Sequence, residues 1–173
     1  MKNILCLMEF LPSAGLGVFM DRQKALVPYN FTSYDKKALD FIMRTFAGQK
    51  NIQFTLFHVY TPLPEINTDS NAVLGRLRDT MRTLYQEIKD QELILKQAKQ
   101  DLLEKGFSDD QVNYIFRPRE KEIEEEIIDA TTEGHYDLVV LSHRHGKIVR
   151  LFGHSVSGKI LSTVKDIAVC IVN

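Results

Sequence analysis

The chain has 173 residues, 44% of them apolar and 26% charged, with a formal net charge of −1. This is the length of one domain with enough apolar residues for a full core. The near-neutral balance excludes a nucleic acid or an anionic membrane as the principal partner. The two cysteines, Cys6 and Cys170, stand at opposite ends of the chain in no C-x-x-C or His/Cys ligand spacing. They argue against a disulfide framework and a zinc site, and fit a reducing, cytoplasmic setting with Cys170 as a small buried hydrophobe.

Residues 1–22 are read as an N-terminal extension and 23–173 as the domain. Met1 to Met20 is apolar, but Lys2, Glu9, Pro12 and Gly15 interrupt it, so it matches neither a transmembrane span nor a signal peptide. Met20 opens MDRQKALVPYN, which reads as a natural start just before a strand, and MKNILCLMEF could form a short extra one.

Lys24–Asn30 is an apolar run ending in turn chemistry, the first strand. Thr32 or Ser33 offers an N-cap, and Leu39, Ile42, Met43 and Phe46 follow on one helical face, with Gly48 just past the end. Asn51–Tyr60 is a second strand, rich in aromatic and branched residues. A loop with two prolines leads to a helical pattern from Ser70 to Lys105, stopped by Gly106. Along it, Leu74, Leu77, Met81, Leu84, Ile88, Leu95, Ala98 and Leu102 follow a 3-4 repeat broken by Gln91. The polar break favours a helix that lies on a sheet and projects past it over a coiled-coil seam.

Gln111–Phe116 is a third strand, and Pro118 is expected to start a helix with an acidic first turn and an apolar face of Ile123, Ile127 and Ala130. Tyr136–Ser142 is a continuous apolar strand, as for one buried on both faces. A basic loop from His143 to His154, a short helix capped by Ser155 and a last strand, Ile167–Val172, complete the chain. Strands alternating with crossover helices imply an α/β fold, a parallel sheet covered on both faces. Such sheets bind ligands beyond the carboxyl ends of their strands, here Asn30, Tyr60 and Ser142.

ALVPYNFTSYDKKALDF resembles the opening of the universal stress protein family, where a strand ending V-P-x-D-x-S leads into a helix. FTLFHVYTPLP resembles that family's second strand, HYDLVVLSHRHGKIVRLFGHSVSGKIL its fourth strand, long loop and capped helix, and AVCIV its last strand. The resemblance spans Lys24 to Val172 and rests on the order and spacing of the motifs together. It implies a Rossmann-like, doubly wound, five-stranded sheet of strand order 3-2-1-4-5, a role in stress response, and a homodimer paired through Ala168, Val169, Cys170, Ile171 and Val172. An apolar edge strand would otherwise invite aggregation.

Nucleotide-binding members of that family carry G-x-x-G, nine residues, then Gly followed by Ser or Thr. Glycines let backbone N–H groups reach phosphates at a helix N-terminus. Aligned on Ser155, the three glycine positions hold Leu141, Arg144 and His154, and the first-strand acid is Asn30. Side chains there crowd a phosphate path, so the expected function is a regulatory or sensing domain without conventional ATP binding. The alternative is an adenine nucleotide, ATP or AMP, or another small anion held by the basic loop. Pro28, Asn30 and Val59 would then flank the nucleoside, Ser155 and the N–H groups after it would face phosphate, and Val140, His143, Arg144, His154 and Val156 are further candidate positions for a nucleotide or anion.

Other chemistries fit poorly. Gly153 to Lys159 matches G-x-x-x-x-G-K, but Ile160 follows where a P-loop needs Ser or Thr, and the stretch begins ten residues beyond a strand. No Ser-His-Asp order or G-x-S-x-G elbow occurs. The loop histidines lack a Cys or acid partner nearby in sequence, so no metal and no catalytic residue are assigned. A hydrolase on the same fold would have only His58 or His143 as a base.

Overall fold

The computed structural model describes residues 22–64, 72–142 and 156–173, the side chains of 72–76 and 156 excepted. Among these residues five strands and four α-helices alternate: β1 (Gln23–Pro28), α1 (Ser33–Phe46), β2 (Ile52–Tyr60), α2 (Ala72–Glu104), β3 (Val112–Pro118), α3 (Ile123–Glu133), β4 (Leu138–Ser142), α4 (Val156–Thr163) and β5 (Ala168–Val172). All pairings are parallel and the sheet order is β3-β2-β1-β4-β5. The chain reverses its direction of travel across the sheet between β3 and β4, so the crevice of such a fold opens between β1 and β4.

The strands send alternate residues to opposite faces, and each face has its own core. Ala25, Val27, Phe54, Leu56 and Val140 pack with Leu39 and Ile42 of α1 and Leu95, Ala98 and Leu102 of α2. Leu26, Phe57, Val59, Val139 and Leu141 pack with Ile127 of α3 and Ile160 of α4. This two-sided burial is why the strands read as continuous apolar runs.

Local chemistry sets the element ends. Thr32 caps α1 in a reciprocal box with Asp35, so of the two cap candidates it is Thr32 that serves. Gly48 and Gly106 both take positive φ, 85° and 99°. At Gly106 the chain closes α2 with Phe107 N–H donating to Leu102 O (3.3 Å), a wrap that suits glycine.

The expected start of the third helix is corrected. Pro118 does not start a helix. It ends β3, paired with Tyr60, and Arg119 N–H donates to Tyr60 O (2.8 Å). The chain turns beyond it because the buried Glu126 carboxylate accepts from the N–H groups of Glu120 (2.5 Å) and Lys121 (2.9 Å) and pairs with Arg117 (2.6 Å). α3 therefore begins one turn later than expected, and Ile123 is exposed instead of facing the core. The G-x-x-x-x-G-K coincidence is dismissed by placement: Gly158 and Lys159 lie within α4, and Lys159 pairs with Glu125 (2.9 Å).

Candidate functional site

The carboxyl ends of β1 and β4 converge on one carboxylate. Asp35, in the first turn of α1, is 2% exposed. Its Oδ2 accepts from the backbone N–H of Asn30 (3.1 Å) and Thr32 (2.8 Å) and from the Thr32 hydroxyl (2.7 Å). Its Oδ1 accepts from the Ser142 hydroxyl (2.5 Å) at the end of β4. One side chain thus ties the loop after β1, the start of α1 and the last residue of β4 across the crevice. A buried charge persists only when hydrogen-bonded in this way.

Beside this carboxylate stands a group of rings. The Tyr29 ring meets Phe31 edge-on at 5.5 Å, Phe31 lies 4.5 Å from His58, and His58 and Tyr60 both stack on Phe116, at 5.6 and 4.9 Å. Phe31 occupies the left-handed region, φ 60°, an uncommon conformation for a side chain of its bulk. Its ring contacts help to hold it there. Phe31, Tyr60 and Phe116 are half-buried, so their rings stay partly accessible at the end of the sheet.

His58 is buried among these rings, and its Nδ1–H donates to Tyr29 O (2.8 Å). Burial holds the imidazole below its ordinary value of 6.5, although the bonds to Tyr29 O and the Gln91 side chain and the Asp35 charge oppose the shift. On acidification the unfolded chain therefore takes up this proton before the folded one. Stability contributed here is intact above pH 6.5 and falls as the pH drops through that value toward the lower folded pKa. His58→Gln should flatten the stability profile in that window, as urea unfolding at pH 7.5 and 5.5 would read. An unchanged acid limb would place the titration elsewhere. Burial, then Asp35 and Asp101, push the Tyr29 phenol up to about 12, so it stays neutral.

The sequence-designated residues fall as follows. Pro28 closes β1 beside Phe57, Asn30 is exposed with its N–H on Asp35, and Val59 is buried near the end of β2. Val140 is enclosed in the core at 0% exposure, two residues below Ser142. Leu141 is 4% exposed and packs beneath α3 and α4. His143, Arg144, His154 and Ser155 lie outside the described residues, and Val156 opens α4. Ala168 to Val172 form β5 at the sheet edge, with Ala168 and Ile171 exposed and Val169, Cys170 and Val172 half-buried. Cys170 is a free thiol, half-buried where full burial was expected, and burial raises its pKa.

Three site residues escaped the sequence reading. Asp35 was legible in the spacing of Thr32 and Asp35, a cap and its reciprocal partner. Gln91 was legible as the polar interruption of the α2 stripe. Phe31 carried no signal, since neither its positive φ nor its ring neighbours follow from composition. Among the described residues no group of three or more His, Cys, Asp or Glu could hold a metal, and no helix is long and apolar enough to cross a membrane.

Comparison with known proteins places the chain among relatives. The description of the universal stress protein family matches residues 21–170. No curated protein matches the sequence. Among solved structures, a universal stress protein in complex with cAMP is 20% identical, with a TM-score of 0.57 over 87% of this chain and 96% of that one. The universal stress protein from Archaeoglobus fulgidus in complex with dAMP is 14% identical, with a TM-score of 0.58 over 88% and 99%. A family protein from Arabidopsis thaliana with AMP bound is 13% identical, with a TM-score of 0.57 over 87% and 92%. At these identities the likeness is one of fold.

Proposed function

Because the chain belongs to the universal stress protein family, we propose that it is a regulatory or sensing domain of the stress response that does not bind ATP in the manner of the family's nucleotide-binding members. The observation that carries this reading is the state of the β4 end. Leu141, where such members carry the first glycine, is a buried strand residue. The next residue, Ser142, spends its hydroxyl on the Asp35 carboxylate. An anionic side chain at the crevice and a filled glycine position both work against a triphosphate. The reading assigns no reaction and no catalytic residue, and it takes the cytoplasm as the compartment.

The ring group supports a second reading, an adenine nucleotide with a short phosphate chain, or another small anion. Half-buried Phe31 and Tyr60 offer faces for a base, and base–aromatic stacking contributes about 1–3 kcal/mol per base. The solved relatives described with AMP, dAMP and cAMP accord with it. The basic residues of 143–154 would supply the charge, and His143, Arg144, His154 and Ser155 are its candidate contacts.

Calorimetric titration with ATP, AMP and sulfate separates the two. The first reading expects no saturable heat from ATP up to millimolar concentration. Micromolar ATP binding would overturn it, and AMP or sulfate binding without ATP binding would favour the second reading.

We also infer a homodimer through β5. It is an edge strand with exposed Ile171, and pairing would cover both its open backbone groups and its apolar side chains. Ile171→Lys should lower the sedimenting mass. A wild-type monomer would remove the proposal.

A further inference from the structure

α2 carries one apolar stripe with two fates. Leu95, Ala98 and Leu102 are buried against the sheet. The same 3-4 repeat continues toward the N-terminus of the helix through Ile88, Leu84, Met81 and Leu77. There Leu84 and Leu77 are exposed, at 37% and 40%, and Met81 and Ile88 are only half-buried. The geometry explains the change. Gln91 reaches His58, which lies two residues before the end of β2. The preceding residues of α2, from Ala72 to Ile88, therefore rise beyond the carboxyl edge of the sheet, by about 25 Å at 1.5 Å per residue. A helix that projects this far, with Tyr85 also exposed beside the stripe, has no sheet beneath it to bury its apolar face.

We propose that the projecting half of α2 pairs with the same segment of a second copy of this chain, antiparallel, forming a self-association face separate from β5. Two observations choose this occupant. The stripe is complementary to itself when reversed. A two-fold axis between Met81 and Leu84 sets Met81 on Leu84 of the partner subunit and Leu77 on Ile88 of the partner subunit, and all four residues are covered in two-fold-related layers. The charges are complementary in the same orientation. The outer turns carry Arg76, Arg78 and Arg82 against one acid, Asp79, and the turns nearer the sheet carry Glu87, Asp90 and Glu92 against one base, Lys89, and Arg78 falls level with Glu87 of the partner subunit. Reversal brings the basic turn of each helix level with the acidic turn of its partner. It also relieves an unfavourable feature of the isolated helix, whose first turn holds no acid and whose positive end is followed by three arginines, Arg76, Arg78 and Arg82.

Sedimentation velocity tests the proposal in the full-length protein. Leu84→Glu should halve the mass of the wild-type assembly, and should also halve whatever assembly remains in a chain carrying Ile171→Lys, which separates this face from β5. Arg78→Glu with Arg82→Glu in one chain, and Glu87→Lys in another, should each weaken association by about tenfold. An equimolar mixture of those two chains should associate again, because opposite charges then face each other at both levels. All substituted positions are exposed, and unchanged circular dichroism would confirm that the fold is kept. The proposal is overturned if Leu84→Glu leaves the mass unaltered, as it would were the stripe covered within one chain by residues 1–20 or left bare. It is equally overturned if the mixture associates no better than its components.

Discussion

Replacing Asp35 with alanine is expected to lower the unfolding free energy by about 3 kcal/mol, with a fall in midpoint temperature of about 6–12 °C for a chain of this size. The effect comes from the groups left behind. Without the carboxylate, the N–H groups of Asn30 and Thr32 and the hydroxyls of Thr32 and Ser142 lose their acceptor together. A fully buried orphaned donor costs about 1–3 kcal/mol, and these four are part-buried and can be reached in part by water, so each costs less. The reciprocal cap of α1 is lost with it. Ser142→Ala removes one donor and leaves the other three in place, so its cost should be about 1 kcal/mol. Urea unfolding of the two variants reads the difference. Equal and small effects would mean that the carboxylate does not tie β1, α1 and β4 together. Asp35→Ala also opens the crevice to an anion. If the carboxylate helps to exclude phosphate, the stability loss should come with a gain in sulfate or AMP affinity.

Truncating the buried end of α2 should be equally costly, while the same change at its projecting end should go almost unnoticed in a monomeric background. Leu102 is 0% exposed in the core beneath α2, so Leu102→Ala loses its transfer free energy and leaves a cavity, about 3 kcal/mol together. Leu84→Ala, in the same stripe of the same helix, removes a side chain with no core behind it and should change the unfolding free energy of the monomer by less than about 0.5 kcal/mol. Denaturant unfolding under conditions that keep the protein monomeric compares them directly. A large effect at Leu84 in a monomer would show that the projecting segment is packed within its own chain. The contrast matters because helix propensity and hydrophobic pattern are alike at the two positions. Only the presence of a sheet beneath the helix differs.

The parallel α/β architecture was legible because its physics is written locally. Runs such as LVVLS can be apolar only if both faces of the strand are covered, and β4 has Val140 in the core under α1 and α2 and Val139 and Leu141 in the core under α3 and α4. The helix stops at Gly48 and Gly106 were legible because a left-handed residue after a helix favours glycine. The start of α3 was not legible. Pro118 and the glutamates after it form a good helix-start pattern, yet Arg117 and Pro118 find ladder partners on β2, and a buried Glu126 takes the N–H groups that a longer helix would have used. Pro28, Asn30 and Val59 were designated from the resemblance and their strand ends, and of these it is Asn30 whose N–H reaches Asp35, the centre of the hydrogen bonds, which was not named.

From the order of its amino acids alone, this protein has the alternation of strands and helices and the family, since each is a matter of residue type at a given spacing. Tertiary structure decided which side chain holds the crevice together and where the α2 stripe runs out of sheet. Both depend on groups far apart in the chain, such as Asp35 and Ser142 or His58 and Gln91, coming within hydrogen-bonding reach, and only the packed sheet brings them there.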